Sequence, residues 1–306
     1  MDYELAIIGA GPAGYSAAIY AVRSGIKTIL FDKGLGGGLA SIAPNIENYA
    51  GFEEITGLDL MEKMKKHVQN YTNINFNEEV ENISKDDDEF LIKTSKDKYK
   101  VKAVLIATGT EHRRLDSPGE RELFGKGVSY CATCDGFFFK GKKVVIVGGG
   151  NSALIESIYL KQIGCSEVHI IHRRDQFRAE ESYVNESKEK GVKFILNSIV
   201  EKINGKNSVE SLDLTNIKTG EKTKLDIDGV FISIGEIPQN DLAKKLNVEL
   251  DERGYIKIDR QGRTNIKGLY AAGDITGGLR QVITAAAEGA VAALTTTEVL
   301  GKKYPY

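Results

Sequence analysis

Two cysteines three residues apart, Cys131 and Cys134, with Asp135 and Gly136 directly after them, are the residues of this chain best suited to chemistry. At this spacing two thiols can close a small disulfide ring. A thiolate in such a pair forms more readily than in a free cysteine, its pKa falling from about 8.5 toward about 7. The same pair could be half of a zinc site, which needs two further ligands. The remaining cysteine is Cys165 and the four histidines are scattered. No second ligand pair completes a metal cage, so no metal is expected and redox chemistry is the better reading. An acid beside the pair can exchange a thiol proton, or it can simply hydrogen-bond the loop backbone. A working dithiol also needs a source of electrons and a place to send them.

The positioning elements have room to form, because 306 residues are enough for two domains. A formal net charge of −2 gives no electrostatic case for nucleic acid. No apolar run approaches the roughly 20 residues that span a bilayer, so no membrane partner is expected. Met1-Asp2-Tyr3-Glu4 leads straight into a strand without a basic-then-apolar pattern. Three cysteines in a chain this long do not make a secreted disulfide framework. A cytoplasmic protein with one working dithiol is the expectation.

Leu5-Ala6-Ile7-Ile8 reads as a buried parallel strand. It leads into Gly9-Ala10-Gly11-Pro12-Ala13-Gly14, a helix-forming stretch from Tyr15 to Arg23, and a second strand from Lys27 to Phe31 that ends at Asp32. Strand, glycine turn, helix, strand and acid in this order make a dinucleotide fold. The glycines let backbone N–H groups approach a pyrophosphate at the helix N-terminus, and Asp32 is placed to accept from a ribose hydroxyl. A tight turn with no ligand is the alternative, and the acid in its proper place weighs against it. At an offset of 139 residues the pattern returns: a strand from Lys143 to Val147, then Gly148-Gly149-Gly150-Asn151-Ser152-Ala153 and a helix to Gln162. Two dinucleotide sites follow. The second strand of this repeat, Val168 to Ile171, ends in His172-Arg173-Arg174 with Arg178 a turn later, where the first repeat ends in an acid. Arginines pair bidentately with phosphate oxygens and suit a 2′-phosphate, which points to NADPH. An exposed basic turn is the competing explanation.

Between these motifs, the glycine-rich segment 34–52 is long enough to be functional. Asp59 to Asn70 reads as an amphipathic helix with Leu60, Met64 and Val68 on one face and His67 on the surface. Val80 to Ile83 and Phe90 to Lys93 read as strands around an acidic hairpin tip, and Val101 to Ala107 as one buried strand ending in Thr108-Gly109. Residues 110–120 and 235–243 suit linkers. Residues 192–234 read as further strands with a hairpin at Thr219-Gly220-Glu221. Gly268 to Asp274 is a short strand ending in an acid, followed by Arg280-Gln281 and a small-residue helix, Val282 to Leu294. The alanines and Gly289 of that helix allow close packing against a ligand or sheet, and ordinary core packing explains them equally well.

Taken in order, GAGPAG at 9–14, ATG at 107–109, CATCDG at 131–136, GGGNSA at 148–153, HRRDQFRA at 172–179 and AAGD at 271–274 with RQ at 280–281 resemble the low-molecular-weight, bacterial and archaeal type of thioredoxin reductase. The resemblance covers essentially the whole chain, and CATCDG between two nucleotide units is specific to that family. It implies an α/β fold of two Rossmann-like, glutathione-reductase-type domains, the second inserted into the first. A discontinuous FAD-binding domain would comprise 1–114 and 244–306, and an NADPH-binding domain, 115–243, would carry the cysteines.

By the same resemblance, FAD would lie along Gly9, Gly11, Pro12, Ala13 and Gly14, with Asp32 on the ribose and Val80 at the adenine end. Gly37, Gly38 and Asn48 would stand near the flavin, and Thr108 and Gly109 would also contact FAD. Asp274 would bind the ribityl chain, and Arg280 and Gln281 would sit by the isoalloxazine. NADPH would use Gly148, Gly150, Asn151, Ser152, Ala153, His172, Arg173, Arg174 and Arg178. The implied activity is a relay from NADPH through FAD and the Cys131–Cys134 disulfide to oxidised thioredoxin or a thioredoxin-like protein. In it Cys134 faces the flavin, Cys131 attacks the partner and Asp135 acts as acid and base. A homodimer is implied, as is rotation of the domains about the two linkers. One residue departs from the pattern: Leu39 stands where the family usually has Gln. Competing readings are the same relay fed by ferredoxin or a deazaflavin, a dithiol oxidase of the same fold, and a non-enzymatic redox-sensing flavin protein.

Overall fold

The computed structural model of the chain describes residues 3–303. Met1 and Asp2, which open the N-terminal stretch read above, lie outside the described residues. The chain divides into two compact units. One comprises the residues up to Glu111 and those from Ile237 onward, the other His112–Glu236. The crossing segments, Thr110–His112 and Glu236–Pro238, pair as a two-stranded ribbon. Both crossings come earlier than the boundaries expected after residues 114 and 243. Past the second crossing the chain is already fastened within its own unit. Gln239 N–H donates to the Gly109 carbonyl at 3.0 Å, and Asn240 Nδ2 donates to that of Gly254 at 2.5 Å.

In the first unit, Leu5–Ile8 lies between Thr28–Phe31 and Ala103–Ile106, parallel to both, with Ile7 opposite Leu30 and Leu105. Leu269–Ala271 and Ile74–Asn75 add the two edges of a five-stranded parallel sheet. The central strands are buried at every position, and apolar but for Thr28, because both faces of the sheet are covered. Leu5 and Ile7 enter a core shared with the helices Pro12–Arg23 and Val282–Thr295. Ala6 and Ile8 point the other way, into a core shared with the antiparallel strands Val80–Asp86, Glu89–Thr94 and Lys98–Val101. The run expected as one strand from Val101 to Ala107 is therefore two. Val101 ends the antiparallel sheet, exposed Lys102 intervenes, and Ala103–Ile106 enters the parallel one.

The second unit repeats these layers. Lys143–Gly148 lies between Glu167–Ile171 and Gly229–Ser233, parallel to both, and Lys193–Ile195 and Val128–Ser129 form the edges. Val144 and Ile146 pack with the helix Asn151–Gln162. Val145 and Val147 pack with the antiparallel strands Ser198–Asn204, Ser211–Asn216 and Lys222–Asp226. The fold is thus α/β, with two Rossmann-type units built alike. Two helices, Glu181–Glu189 and Asp241–Lys245, were not anticipated. Both are short and highly charged, so they offer little apolar period to detect.

The helix Gly57–Gln69 starts where the Thr56 hydroxyl accepts the Asp59 N–H at 3.1 Å, an ordinary N-cap. Leu60 and Val68 are buried on its inner face and His67 is exposed. The small-residue helix Val282–Thr295 packs on the helix Pro12–Arg23. A Cβ on Gly289 would stand 2.0 Å from the Ala13 carbonyl oxygen, so the two backbones meet with no side chain between them. Gly289→Ala should therefore cost the protein about 1–3 kcal/mol through forced separation of the helices, read as a lowered urea midpoint. An unchanged midpoint would show that the contact is not tight.

Candidate redox and cofactor sites

The redox segment hangs from the edge strand Val128–Ser129, where Val128 pairs with Val230 and Ser129 with Phe231. The chain then turns into a one-turn helix, Ala132–Asp135, whose N-cap is Cys131. Cys131 and Cys134 are joined as a disulfide with Cα atoms 5.3 Å apart. The Cys134 N–H points at Cys131 Sγ, at 3.1 Å. Cys131 is half-buried and Cys134 exposed. Behind the ring, Ala132 is buried in the core of the unit. Gly136 meets the helix Asn151–Gln162 so closely that a Cβ there would lie 2.9 Å from a Leu160 methyl.

Two polar side chains, Ser129 and Tyr130, lock this segment. Ser129, 3% exposed, donates its hydroxyl to Asp135 Oδ2 at 2.5 Å and accepts the Cys131 N–H at 3.0 Å. Burial pushes the Asp135 carboxyl above the usual carboxylate range, and the Ser129 hydrogen bond opposes that rise. On the other side, Tyr130 donates to Glu120 Oε1 at 2.5 Å, and its ring stacks on His112 with centroids 4.6 Å apart. Burial, and then the bond to Glu120, push the Tyr130 phenol well up. Sequence reading missed Ser129 and Glu120 as part of this cluster. A serine two residues before a cysteine carries no signal until the turn folds back on it. Among the described residues no group of three or more His, Cys, Asp and Glu could hold a metal ion. Cys165 is buried in the core of the same unit, and burial pushes its thiol up.

In the first unit, the residues singled out in sequence gather at the C-terminal ends of four parallel strands: Gly9 after Ile8, Asp32 after Phe31, Thr108 and Gly109 beyond Ile106, and Asp274 beyond Ala271. Parallel strands put all these ends on one edge of the sheet, where ligands of such folds bind. Gly9 has φ +107°, and a Cβ on it would lie 2.2 Å from the Ala107 carbonyl oxygen. A Cβ on Gly14 would lie 1.8 Å from the Gly9 oxygen. Gly11 is different: nothing stands within 4 Å of a Cβ placed there. As N-cap of the helix Pro12–Arg23 it supplies no side-chain cap. The first-turn N–H groups thus face an open cradle, which a dinucleotide pyrophosphate fits.

Asp32 binds this turn internally. Its Oδ2 accepts the Ala10 N–H and its Oδ1 the Gly34 N–H, both at 2.8 Å, leaving lone pairs on both oxygens. Gly37 donates its N–H to the Ala10 carbonyl at 2.6 Å and precedes the turn Gly38–Ile42, in which Leu39 is half-buried. Asn48 and Gln281, 233 residues apart, are brought together by a 2.9 Å hydrogen bond from Asn48 Nδ2 to Gln281 Oε1. Arg280 donates to the Tyr255 hydroxyl at 3.2 Å. The Asp274 turn is braced by Glu288, whose Oε2 accepts the Gly273 N–H at 2.8 Å. Val80 is not at this edge: it opens the antiparallel sheet with its side chain in the core.

The second unit carries the matching arrangement. A Cβ on Gly148 would lie 2.4 Å from the Ser233 carbonyl oxygen and 2.8 Å from the Ala153 methyl, while one on Gly150 would meet nothing within 4 Å. Gly150 N-caps the helix Asn151–Gln162, again without a side-chain cap. Asn151 is engaged with Glu180, donating to its Oε1 at 2.8 Å and accepting its N–H at 2.9 Å. His172 is buried, stacks on Phe177 and lies where a Cβ on Gly149 would stand. Burial holds its imidazole below the usual range. Arg173, Arg174 and Arg178 are exposed on the turn beyond it, and Asp175 among them pairs with Lys218 at 2.7 Å.

Comparison with known proteins follows from this geometry. The "34.2 kDa protein in rubredoxin operon" of Clostridium pasteurianum is 42% identical over 303 residues, covering 98% of each chain. The thioredoxin reductase of Bacillus subtilis is 40% identical over 298 residues, covering 95% of this chain and 92% of its own. Among solved structures, thioredoxin reductase from Streptococcus pyogenes superposes with a TM-score of 0.92 at 38% identity, covering 98% of both chains. The family model for pyridine nucleotide-disulphide oxidoreductases matches residues 3–289. A cysteine ring and two glycine cradles, on a chain alike from end to end to these proteins, place it in a family: it belongs to the pyridine nucleotide-disulphide oxidoreductases, among their thioredoxin reductases.

Proposed function

We propose that this protein is a thioredoxin-disulfide reductase that passes electrons from NADPH through FAD and the Cys131–Cys134 pair to thioredoxin or a thioredoxin-like protein. The observation that carries the reading is the closed Cys131–Cys134 ring, with the Asp135 carboxyl held by Ser129 in the same turn. Relatives at 40% identity over 95% of the chain bear the name of this activity. Bound FAD supplies a two-electron carrier between a nicotinamide hydride and a disulfide.

The first cradle would hold FAD. Gly9, Gly11, Pro12, Ala13 and Gly14 would line the pyrophosphate, with the N–H groups of Gly11, Ala13 and Gly14 as donors while Pro12 has none to give and Gly9 shapes the turn, and Asp32 turns its remaining lone pairs to a ribose hydroxyl. Gly37, Gly38, Asn48, Thr108, Gly109, Asp274, Arg280 and Gln281 complete that contact, with Val80 contributing through its backbone. The second cradle would hold NADPH. Gly148, Gly150, Asn151, Ser152 and Ala153 surround its pyrophosphate, Arg173, Arg174 and Arg178 bind the 2′-phosphate, and His172 supports the turn from below. Cys131 serves as the nucleophile toward the partner, Cys134 as the flavin-facing sulfur, and Asp135 as the acid and base. The reading extends to a homodimer, on the resemblance alone, and to a cytoplasmic setting, on the single working dithiol.

Three measurements test it. Cys131→Ser should abolish thioredoxin reduction yet let NADPH bleach the flavin; continued reduction would show that another sulfur attacks the partner. Replacing Arg173 and Arg174 together with Ala should raise the NADPH KM by roughly tenfold or more while changing kcat far less, since charge-assisted bonds to a bound phosphate are lost. A KM left unchanged would remove NADPH as the donor. Gly11→Ala should leave the stability of the flavin-free protein within about 1 kcal/mol, because its Cβ meets only open space. The same substitution should weaken FAD binding at least roughly tenfold, about 1.4 kcal/mol, and full flavin retention would place the cofactor elsewhere.

A further inference from the structure

Asp135 cannot orient itself. It ends a helix of one turn, and such a short element has little rigidity of its own. What holds the carboxylate is a residue outside that turn. Ser129 lies in an edge strand, paired to Phe231 and 3% exposed, so its side chain starts from a fixed backbone. Its one hydroxyl, with the Cys131 carbonyl oxygen a more distant 3.4 Å away, gives a short bond and takes another. It donates to Asp135 Oδ2 at 2.5 Å and accepts the N–H of Cys131 at 3.0 Å. The acid and the first sulfur-bearing residue are thereby tied to the same oxygen.

We propose that Ser129 is a positioning residue of the redox motif, whose hydroxyl fixes the Asp135 carboxylate to the Cys131 end of the ring so that this carboxylate moves a proton of the dithiol–disulfide exchange. The inference rests on the reductase reading given above. When the Cys131–Cys134 bond is reduced, the S–S bond breaks and two S–H bonds form. Two electrons arrive from the reduced flavin of that reading. One proton passes through the Asp135 carboxyl and is replaced from water, and the second comes directly from solvent.

Among the described residues, Ser129 is the side chain that hydrogen-bonds this acid. Burial raises the pKa of Asp135 and the Ser129 bond lowers it, with no charged side chain contributing. The two cysteines of its own turn titrate only once the ring is reduced; Tyr159, whose ring meets Gly136 from the packed helix, and Tyr130, bonded to Glu120, are the other titratable groups around the segment. A bond that favours the ionised carboxylate keeps its pKa down, so removing the bond must send it further up. Any limb of a pH–rate profile governed by Asp135 then moves to higher pH.

The test compares wild type with Ser129→Ala, Ser129→Thr and Asp135→Asn as FAD-loaded proteins. The Asp135 carboxyl is titrated by carbon NMR of aspartate-labelled protein, assigned by its absence in Asp135→Asn. The pH profile of NADPH-driven thioredoxin reduction is recorded alongside. In Ser129→Ala the titration and the limb that Asp135→Asn removes should both move up by about 0.5–1 pH unit. Ser129→Thr, which keeps the hydroxyl, should bring both back. An unmoved titration overturns the proposal, as does a moved titration with an unmoved rate limb, or a folded Ser129→Thr that behaves like Ser129→Ala. If wild type bleaches with NADPH but reduces no thioredoxin, the reductase reading fails on its own, and the titration alone decides the assignment of Ser129.

Discussion

Backbone meeting backbone with no side chain between is the constraint on which this structure depends. Ala13 and Gly14 stand at the centre of it. Gly14 lets the first turn of its helix touch the Gly9 carbonyl, and Gly289 lets a helix from the far end of the chain rest on Ala13. The same segment is held to the sheet by Gly9, which meets Ala107. A methyl group at any of these three glycines would collide with a carbonyl oxygen. The glycine turn is therefore enclosed by close contact on three sides and open on a fourth, above Gly11. That open side is what makes a cradle of it: helix N–H groups with no protein partner face outward from a rigid frame. The second unit reaches the same result with Gly148 against Ser233 and an alanine methyl in place of the third glycine.

The redox segment follows a different rule. It owes little to regular structure and much to a few directed polar contacts. Ser129 and Tyr130 are adjacent residues whose side chains tie down opposite partners, Asp135 and Glu120. Small residues do the rest, Ala132 in the core and Gly136 against Leu160. The sulfurs are thus carried on a short loop whose base is fixed at several points. Cys134 is nonetheless exposed, as a loop that must exchange electrons with something outside itself requires.

Much of this was legible from residue types alone, for identifiable reasons. The strand–glycine–helix–strand–acid order is a local pattern, so it reads directly and reads twice. The cysteine pair is local too. What escaped was non-local or ambiguous in period. Val101 to Ala107 is apolar but for Lys102, and one lysine near the start of the run does not say that Val101 and the residues from Ala103 on serve two different sheets. Asn48 and Gln281 meet across 233 residues, and only the assembled first unit shows it. Asp32 reads in sequence as an acceptor for a ribose hydroxyl, and only the folded turn shows that its oxygens also accept the Ala10 and Gly34 N–H groups. His172 was grouped with its arginine neighbours, yet it lies beneath Gly149 and away from their exposed surface. Adjacent residues at a strand end point to opposite sides, and a motif written as letters hides that.

The order of strands in the first unit bears on how the protein is made. Its sheet lacks an edge until Leu269–Ala271 is synthesised, and the helix Pro12–Arg23 lacks its packing partner until Val282–Thr295 emerges. The second unit is continuous from His112 to Glu236 and carries its own cores. On a ribosome the inserted part can therefore close first, while the N-terminal part waits with an unfinished sheet for the last stretch of chain to leave the tunnel.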